Sequence, residues 1–163
     1  MSSEQDLERM ALQEARLRFL RFDARTAWDL GQRLKAAAEA RGVAVAIEIR
    51  VARETVFFYA MPGTAPANAD WVRRKRNTVE LTQRSSYAIG NMPLRDGETT
   101  LQRMGLPGRD YAVAGGAFPL FVEGVGCIGT VAVSGLPQRD DHALVVDVLG
   151  EMCGVAMDGM RLD

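Results

Sequence analysis

The chain has 163 residues, of which 47% are hydrophobic and 25% charged, and its formal net charge is −1. This size and composition predict one globular domain, residues 1–163, with a substantial core, and exclude a disordered or fibrous chain. The nearly balanced charge gives no general attraction to nucleic acid or to an anionic membrane, and no apolar run approaches the roughly 20 residues of a membrane span. The acidic start MSSEQDLERM lacks the layout of a secretory signal, so we expect a cytoplasmic protein.

Metal-binding side chains are scarce. The chain has two cysteines, Cys127 and Cys153, and a single histidine, His142. In a reducing compartment such cysteines serve mostly as small buried apolar groups, so we predict no disulfide. A structural zinc site needs four nitrogen or sulfur ligands, and we therefore predict no metal site.

Two amphipathic helices are predicted at the start of the chain. The sequence Ser3-Glu4-Gln5-Asp6 is close to a capping box for the first helix, and Asp23 can cap the second. The second helix has apolar residues at helical spacing and ends at Arg41-Gly42. A short aromatic link, residues 19–22, joins the two.

The hydrophobic period then changes to two, which is typical of a strand. Residues 43–51 have one fully apolar face and a second face made mostly of alanine. Arg53-Glu54 is predicted as a tight connection, and residues 55–61 as the antiparallel partner strand. Pro62-Gly63 ends this hairpin.

Helices are predicted in the middle of the chain and strands after it. Thr64 or Asn68 can cap a helix that runs to about Gln83, followed by a shorter helix over residues 85–92 and a helical turn at 101–104. Residues 111–122 and 125–134 are predicted as strands. A last helix runs from Gln138 to about Met157.

The string GVGCIG, residues 124–129, matches the G-x-G-x-x-G pattern of dinucleotide-binding proteins. That pattern requires a helix after the third glycine, because the helix N-terminus holds the pyrophosphate. Here a β-branched alternating run follows Gly129, so we predict a hairpin with its turn at Glu123-Gly124 and no nucleotide site. Gly126 and Gly129, like Gly115 and Gly116, indicate a bulge or the close approach of another backbone, helix or ligand.

The stretch GGAFPLFVEGVGCIGTVAVSGLPQRDD resembles the C-terminal signature of the haem-degrading-domain family, the GlcG, HbpS and PduO C-terminal type. The residues that match are Gly115, Gly116, Pro119, Leu120, Gly129, Val131, Val133, Ser134 and Gly135. The resemblance covers most of the chain, and Lys75 in NADWVRRKRN aligns with a lysine of the family. The stretches RSSYAIG and GLPGRDY resemble a branch of uncharacterised proteins in this family more than they resemble GlcG. The resemblance implies a homo-oligomer that binds haem, another tetrapyrrole or a carboxylate ligand, but it carries over no haem-ligating residue.

Lys75 is a candidate ligand-binding residue because it shares a helix face with Trp71 and Val79, and an amine on a packing face is unusual. It either covers apolar surface or pairs with a carboxylate such as Glu48, or it directs its charge at an acidic ligand. The basic run around it, residues 73–76, is predicted as a solvated face with i,i+4 partners such as Glu80, and not as a nucleic-acid site.

The start of the last helix supplies further candidates. Asp141 and His142 lie in its first turn, and Ser134 ends the strand before it, so the three can lie close together. His142 is predicted either as a packed histidine with a hydrogen-bond partner or as a ligand contact or general base. Tyr87 can line a pocket or be buried with its hydroxyl satisfied.

These elements predict an α+β fold: a single antiparallel sheet of about five strands with helices packed on it, in a layered, profilin- or PAS-like architecture. Both faces of the sheet are apolar or small, so other helices or a neighbouring subunit must cover the second face, and we expect a homo-oligomer. The leading hypothesis is a small-ligand-binding protein with a pocket near Lys75, Ser134, Asp141 and His142. The alternatives are a non-catalytic interaction protein and an enzyme that uses His142 and Asp141 in acid–base chemistry.

Overall fold

The computed structural model describes residues 3–163 as six helices and a five-stranded sheet. The helices are α1 (Ser3–Arg16), α2 (Ala24–Ala40), α3 (Pro66–Thr82), α4 (Ser86–Gly90), α5 (Thr100–Met104) and α6 (Gln138–Cys153). The strands are β1 (Arg18–Phe19), β2 (Ala46–Val51), β3 (Glu54–Ala60), β4 (Ala117–Val122) and β5 (Gly126–Ser134).

The sheet has the order β1-β4-β5-β2-β3 and is mixed. All neighbours pair antiparallel except β1, which runs parallel to β4 with Arg18 opposite Phe121. The prediction of a purely antiparallel sheet is therefore wrong at this edge. A strand of two residues is too short to show an alternating pattern, so the sequence presents it only as an aromatic link.

Helices of the same chain cover both faces of the sheet. On one face α2 and α6 pack on large aliphatic side chains of the sheet, including Ile47, Ile49, Val131 and Val133. On the other face α3 places Val72 and Val79 against three alanines, Ala46, Ala117 and Ala132. The alanines allow α3 to lie close to the sheet, so the face that required either other helices or a subunit is covered by a helix.

The predicted GVGCIG hairpin is confirmed. Gly124 lies in the turn between β4 and β5 with a φ of +76°, and β5 continues through Gly129 to Ser134 without a helix. A side chain at Gly129 would collide with the Arg50 carbonyl oxygen of β2. One at Gly135 would collide with the Ala44 carbonyl oxygen, only 2.3 Å away. These glycines therefore admit a neighbouring strand.

Several predicted boundaries differ from the structure: β2 begins at Ala46 rather than at Val43, and α4 ends at Gly90 rather than at Met92. The first hairpin turns at Ala52-Arg53, one residue before the predicted connection. Residues 111–116 form no strand, because the backbone of Ala112 bonds to α3 instead, donating to the Arg74 carbonyl oxygen and accepting from the Thr78 hydroxyl. The last helix ends at Cys153, where Gly154 adopts a left-handed conformation that caps it.

Two of the residues predicted as helix caps form hydrogen bonds at helix starts. Asp23 caps α2 as predicted, since its side chain accepts from the Thr26 backbone N–H at 3.0 Å. Neither Thr64 nor Asn68 is the N-cap of α3, because that residue is Ala65; Asn68 lies in the first turn, where its side-chain oxygen accepts from the Ala65 N–H at 2.9 Å. None of the helices within residues 3–163 has the length and apolar character that crossing a bilayer requires.

Candidate functional site

Lys75 lies on the face of α3 that packs against the sheet, and only 2% of its surface is exposed. Its Nζ donates to the carbonyl oxygens of Gly115 at 2.9 Å and Val133 at 2.6 Å, and to Asp141 Oδ2 at 3.2 Å. An ammonium has three hydrogens, and these three acceptors account for all of them. The side chain therefore ties α3 to the sheet and to the start of α6.

Asp141 completes this arrangement from α6. Its Oδ1 accepts from the Leu136 N–H at 3.1 Å, and its Oδ2 accepts from Lys75. Burial raises the pKa of the Asp141 carboxyl and lowers the pKa of the Lys75 ammonium, while the attraction between the two charges opposes both effects. The partner of Lys75 is thus Asp141, and Glu48, which the sequence suggested, pairs with Arg76 at 3.0 Å.

Gly115 and Gly116 make room for this ion pair. Gly116 has a φ of +129°, and a side chain there would lie within 2.5 Å of the Val133 carbonyl oxygen and closer still to Lys75 Nζ. A side chain at Gly115 would overlap the Gln138 carbonyl oxygen at the first residue of α6. Only glycine at both positions allows α3, β5 and the start of α6 to meet here.

A cavity of about 300 Å³ lies against the Lys75–Asp141 pair. We call it the Lys75 cavity; its lining residues are Asn68, Trp71, Lys75, Ala114, Gly115, Ser134, Gly135, Leu136, Gln138 and Asp141. Three of the predicted site residues, Lys75, Ser134 and Asp141, therefore lie together in its wall. Asn68, Trp71 and Gln138 were not among the predicted site residues; the only sequence signal was the shared helix face of Trp71 and Lys75.

Ser134 lines this cavity with a hydroxyl that the fold leaves unused. The residue is only 6% exposed, and its hydroxyl has no hydrogen-bond partner within residues 3–163. Unlike the Thr130 hydroxyl, the Ser134 hydroxyl is not one of the enclosed unpaired atoms of the protein, so it faces the open space of the cavity. This hydroxyl is therefore available to a bound molecule.

His142 does not line the Lys75 cavity. It is 1% exposed, and its Nε2 lies 2.8 Å from Gln13 Oε1 of α1. Gln13 in turn donates to the Met160 carbonyl oxygen at 2.6 Å, so the contact joins three segments of the chain. Burial lowers the pKa of His142 to about 3, which keeps the imidazole neutral near neutral pH.

Tyr87 also lies outside the cavity, behind its wall. Its ring packs against the His142 ring with centroids 5.4 Å apart, and its hydroxyl is 3.4 Å from Arg139 Nη1. The position of a side chain at Gly115 would be 3.2 Å from the Tyr87 ring. Tyr87 and His142 therefore lie behind the wall of the Lys75 cavity and do not line it.

The acidic and basic residues around Lys75 form long-range ion pairs. Glu80, predicted to pair within the helix, instead lies 2.8 Å from Arg50 of β2, and Arg84 lies 3.2 Å from Glu14 of α1. Arg73 pairs with Asp110 at 3.1 Å. The basic run is consequently neutralised largely by carboxylates from other elements, and it does not form a continuous cationic surface.

Comparisons with known proteins agree with this architecture. The family described as "Haem degrading protein HbpS-like" matches residues 22–149. A UPF0303 protein of Azotobacter vinelandii is 55% identical over 163 residues, covering 100% of this chain and 98% of that protein. A UPF0303 protein of Serratia proteamaculans is 50% identical over 162 residues, covering 99% and 100%.

Solved structures with lower sequence identity share the fold of this chain. The crystal structure of Ybr137w superposes with a TM-score of 0.83 at 25% identity, covering 91% of this chain and 87% of that one. A PduOC:heme complex gives a TM-score of 0.66 at 16% identity, covering 81% and 94%. A double mutant of HbpS from Streptomyces reticuli gives a TM-score of 0.64 at 17% identity, covering 80% and 86%; these two structures show the shared fold alone. The chain belongs to the HbpS-like family of haem-degrading proteins and is most similar, among these relatives, to its UPF0303 members.

Proposed function

We propose that this protein binds a small, oxygen-rich organic molecule in the Lys75 cavity. The observation that supports this most directly is the Ser134 hydroxyl, which lines the cavity, is almost buried and has no partner within residues 3–163. A volume of about 300 Å³ is at the lower end of the range for small-molecule sites. The hydrogen bonds by which Lys75 joins α3 to the sheet and to α6 favour binding, because they hold the lining residues in position before a ligand enters.

The polar groups of the cavity indicate which ligand chemistry it favours. Lys75 and Asp141 satisfy each other, so the wall that they form carries little net charge. Asn68 and Gln138 each use their side-chain oxygen within the protein, to the N–H groups of Ala65 and Gly115, and this leaves their amide N–H groups for a ligand. Hydroxyl and amide donors of this kind suit hydroxyl, carbonyl or carboxylate oxygens.

The residues of the Lys75 cavity do not fit haem, the group named for the family and for one structural neighbour. Proteins hold haem iron through histidine, cysteine thiolate, methionine or tyrosine, and none of these lines the cavity. The single histidine is in the interior and already contacts Gln13. Titration with haemin tests this conclusion. A saturable shift of the Soret band that is lost in Ser134→Ala would overturn it.

A native mass spectrum of the purified protein tests the proposed function. We expect a retained small molecule or, after addition of a hydroxylated acid such as malate or 4-hydroxyphenylacetate, a saturable complex whose affinity falls in Ser134→Ala. Thr130→Val is the matched control, because Thr130 also carries an unpaired hydroxyl on β5 but does not line this cavity. Equal binding by both variants and the wild type would refute the site.

We also propose that the protein forms homo-oligomers through an apolar patch at β3. Trp28 is 60% exposed and its ring packs on Phe57 of β3, Val56 and Phe58 of the same strand are also exposed, and within residues 3–163 the outer edge of β3 has no strand partner. An exposed apolar edge strand readily associates with another chain. Native mass spectrometry of Phe58→Asp should show a smaller assembly than the wild type, and an unchanged assembly would exclude this surface.

A cytoplasmic location is consistent with the thiols. Cys127 and Cys153 are both free and partly buried. Burial raises the pKa of the Cys153 thiol to about 11, so this thiol stays protonated and unreactive. Unpaired cysteines of this kind are typical of reducing compartments.

A further inference from the structure

A second cavity, of about 410 Å³, adjoins the Lys75 cavity. The two share Trp71, Ala114 and Gln138 in their walls. We call the second one the Arg74 cavity; its other lining residues are Arg74, Gly90, Asn91, Leu101, Tyr111, Ala112 and Val113. A molecule that fills the first cavity can therefore extend past Trp71 into the second.

Arg74 is a cation without a carboxylate partner. The other three cations of α3, Arg73, Lys75 and Arg76, each lie 3.0–3.2 Å from a carboxylate oxygen. Arg74 donates from Nε to the Gly108 carbonyl oxygen at 3.0 Å, and its two terminal nitrogens have no acceptor within residues 3–163. Since Arg74 is the only charged residue that lines the second cavity, this cavity carries an uncompensated positive charge.

The guanidinium of Arg74 is held in place. Its Cζ lies 4.2 Å from the centre of the Trp71 ring, which packs against the guanidinium. The chain that forms the opposite wall is fixed to α3 by bonds from the Ala112 N–H to the Arg74 carbonyl oxygen and from Thr78 to the Ala112 carbonyl oxygen. An arginine fixed on an aromatic ring presents its terminal N–H groups as a fork that matches a carboxylate or a phosphate.

We propose that the Arg74 cavity binds the carboxylate of an organic acid whose body packs on Trp71 and whose second oxygen-bearing group reaches Ser134. This inference rests on the proposed function, because it places two ends of one ligand in the two adjoining cavities. One free guanidinium balances the single charge of a carboxylate, whereas the lining residues supply no second cation for a phosphate dianion. The ligand class is a small hydroxy or keto acid with an apolar or aromatic body.

The test uses the indole N–H resonance of Trp71 in nitrogen-15 spectra. The chain has two tryptophans, so a Trp28→Phe background leaves Trp71 as the only indole. The probes are 4-hydroxyphenylacetate and its neutral amide, which differ in the charge that Arg74 would contact. We expect the acid to shift the resonance saturably and to bind at least about 10-fold more tightly than the amide, since hydrogen bonds to charged groups contribute that much.

Arg74→Gln should reduce the affinity for the acid to that for the amide. Arg25→Gln is the control, because it removes the same charge from an exposed arginine that lines neither cavity. An effect of Arg25→Gln as large as that of Arg74→Gln would overturn the proposal, as would the absence of a saturable shift with the acid. Tighter binding of phenyl phosphate than of the acid would also overturn it, in favour of a phosphate site.

Failure of this inference is distinguishable from failure of the proposed function. Ser134→Ala should weaken the acid and the amide by a similar factor, because the hydroxyl contacts the end of the ligand that both probes share. If Ser134→Ala weakens both probes while Arg74→Gln weakens neither, the Lys75 cavity is a binding site and the Arg74 subsite is wrong. If Arg74→Gln weakens the acid while Ser134→Ala changes nothing, the carboxylate subsite stands and the proposed role of Ser134 is wrong.

Discussion

Replacement of Lys75 by methionine should strongly destabilise the protein. Methionine keeps an unbranched apolar side chain but removes the ammonium, so Asp141, 2% exposed, retains a buried charge without its cation. Removing one partner of a buried ion pair costs about 3–5 kcal/mol. For a chain of 163 residues that corresponds to a fall in Tm of about 6–20 °C, at about 2–4 °C per kcal/mol.

Urea unfolding at pH 7 measures this loss, with Arg33→Met as the control. Arg33 forms an i,i+4 pair with Asp29 at 3.1 Å in which both side chains are about half exposed, so its loss should cost less than about 1 kcal/mol. The double variant Lys75→Met/Asp141→Asn should be more stable than the sum of the two single losses predicts, by about 1–3 kcal/mol, because neither charge is then left alone.

The pH dependence gives an independent test of the same reasoning. In Lys75→Met, burial without the cation raises the pKa of Asp141 above that of the unfolded chain, so the folded state binds the proton more tightly. The stability of the variant relative to the wild type should therefore improve as the pH falls from 7 towards 5. A loss below about 1 kcal/mol at pH 7, or a difference that does not change with pH, would refute the buried charge pair.

Three further predictions concern stability. Because burial lowers the pKa of His142 to about 3, this residue should lower stability by up to about 1.4 kcal/mol per pH unit between about pH 6.5 and 3, where only the unfolded chain takes up the proton; His142→Gln should reduce the slope between pH 6 and 5 in urea titrations by that amount, and an unchanged slope would contradict it. Gly116→Ala should cost at least about 2 kcal/mol more than Gly126→Ala, since both glycines have positive φ but only the first has neighbours within 4 Å, and equal losses would exclude the contact argument. Ala52→Asn/Arg53→Gly should raise the Tm by about 2–4 °C, because both residues have positive φ in a two-residue turn, and calorimetry showing no gain would argue against strain there.

The spacing of residues predicted the local part of the site well. Lys75 shares a helix face with Trp71 and Val79, and that pattern placed its side chain on the packing face of the helix while leaving open what the amine contacts. Likewise Gly115 and Gly116 indicated a close approach before the structure showed what approaches. Both conclusions depend only on the geometry of one helix or one strand, and periodicity reports this geometry directly.

The partners of these residues could not be predicted from spacing. Glu48 was the suggested carboxylate for Lys75, but the rotation of α3 on the sheet points Lys75 towards α6 and Arg76 towards β2. Glu80, which has arginines four residues away on either side, pairs with Arg50. Each of these choices depends on how a helix crosses the sheet, and that is set by close packing on Ala46, Ala117 and Ala132 rather than by the helix sequence.

Lys75 and Ser134 lie in the same wall of the cavity but differ in whether their polar groups are already bonded within the protein. Lys75 must give up all three hydrogens to fix α3, β5 and α6, so its charge is not available to a ligand. Ser134 has a backbone bonded within the sheet and a side chain with no structural task within residues 3–163. The proposed recognition by charge therefore uses the preceding residue of α3, Arg74, whose terminal nitrogens have no acceptor within residues 3–163. A ligand that contacts both Ser134 and Arg74 would pass over Trp71, and substitution of Trp71 should weaken acids and amides together.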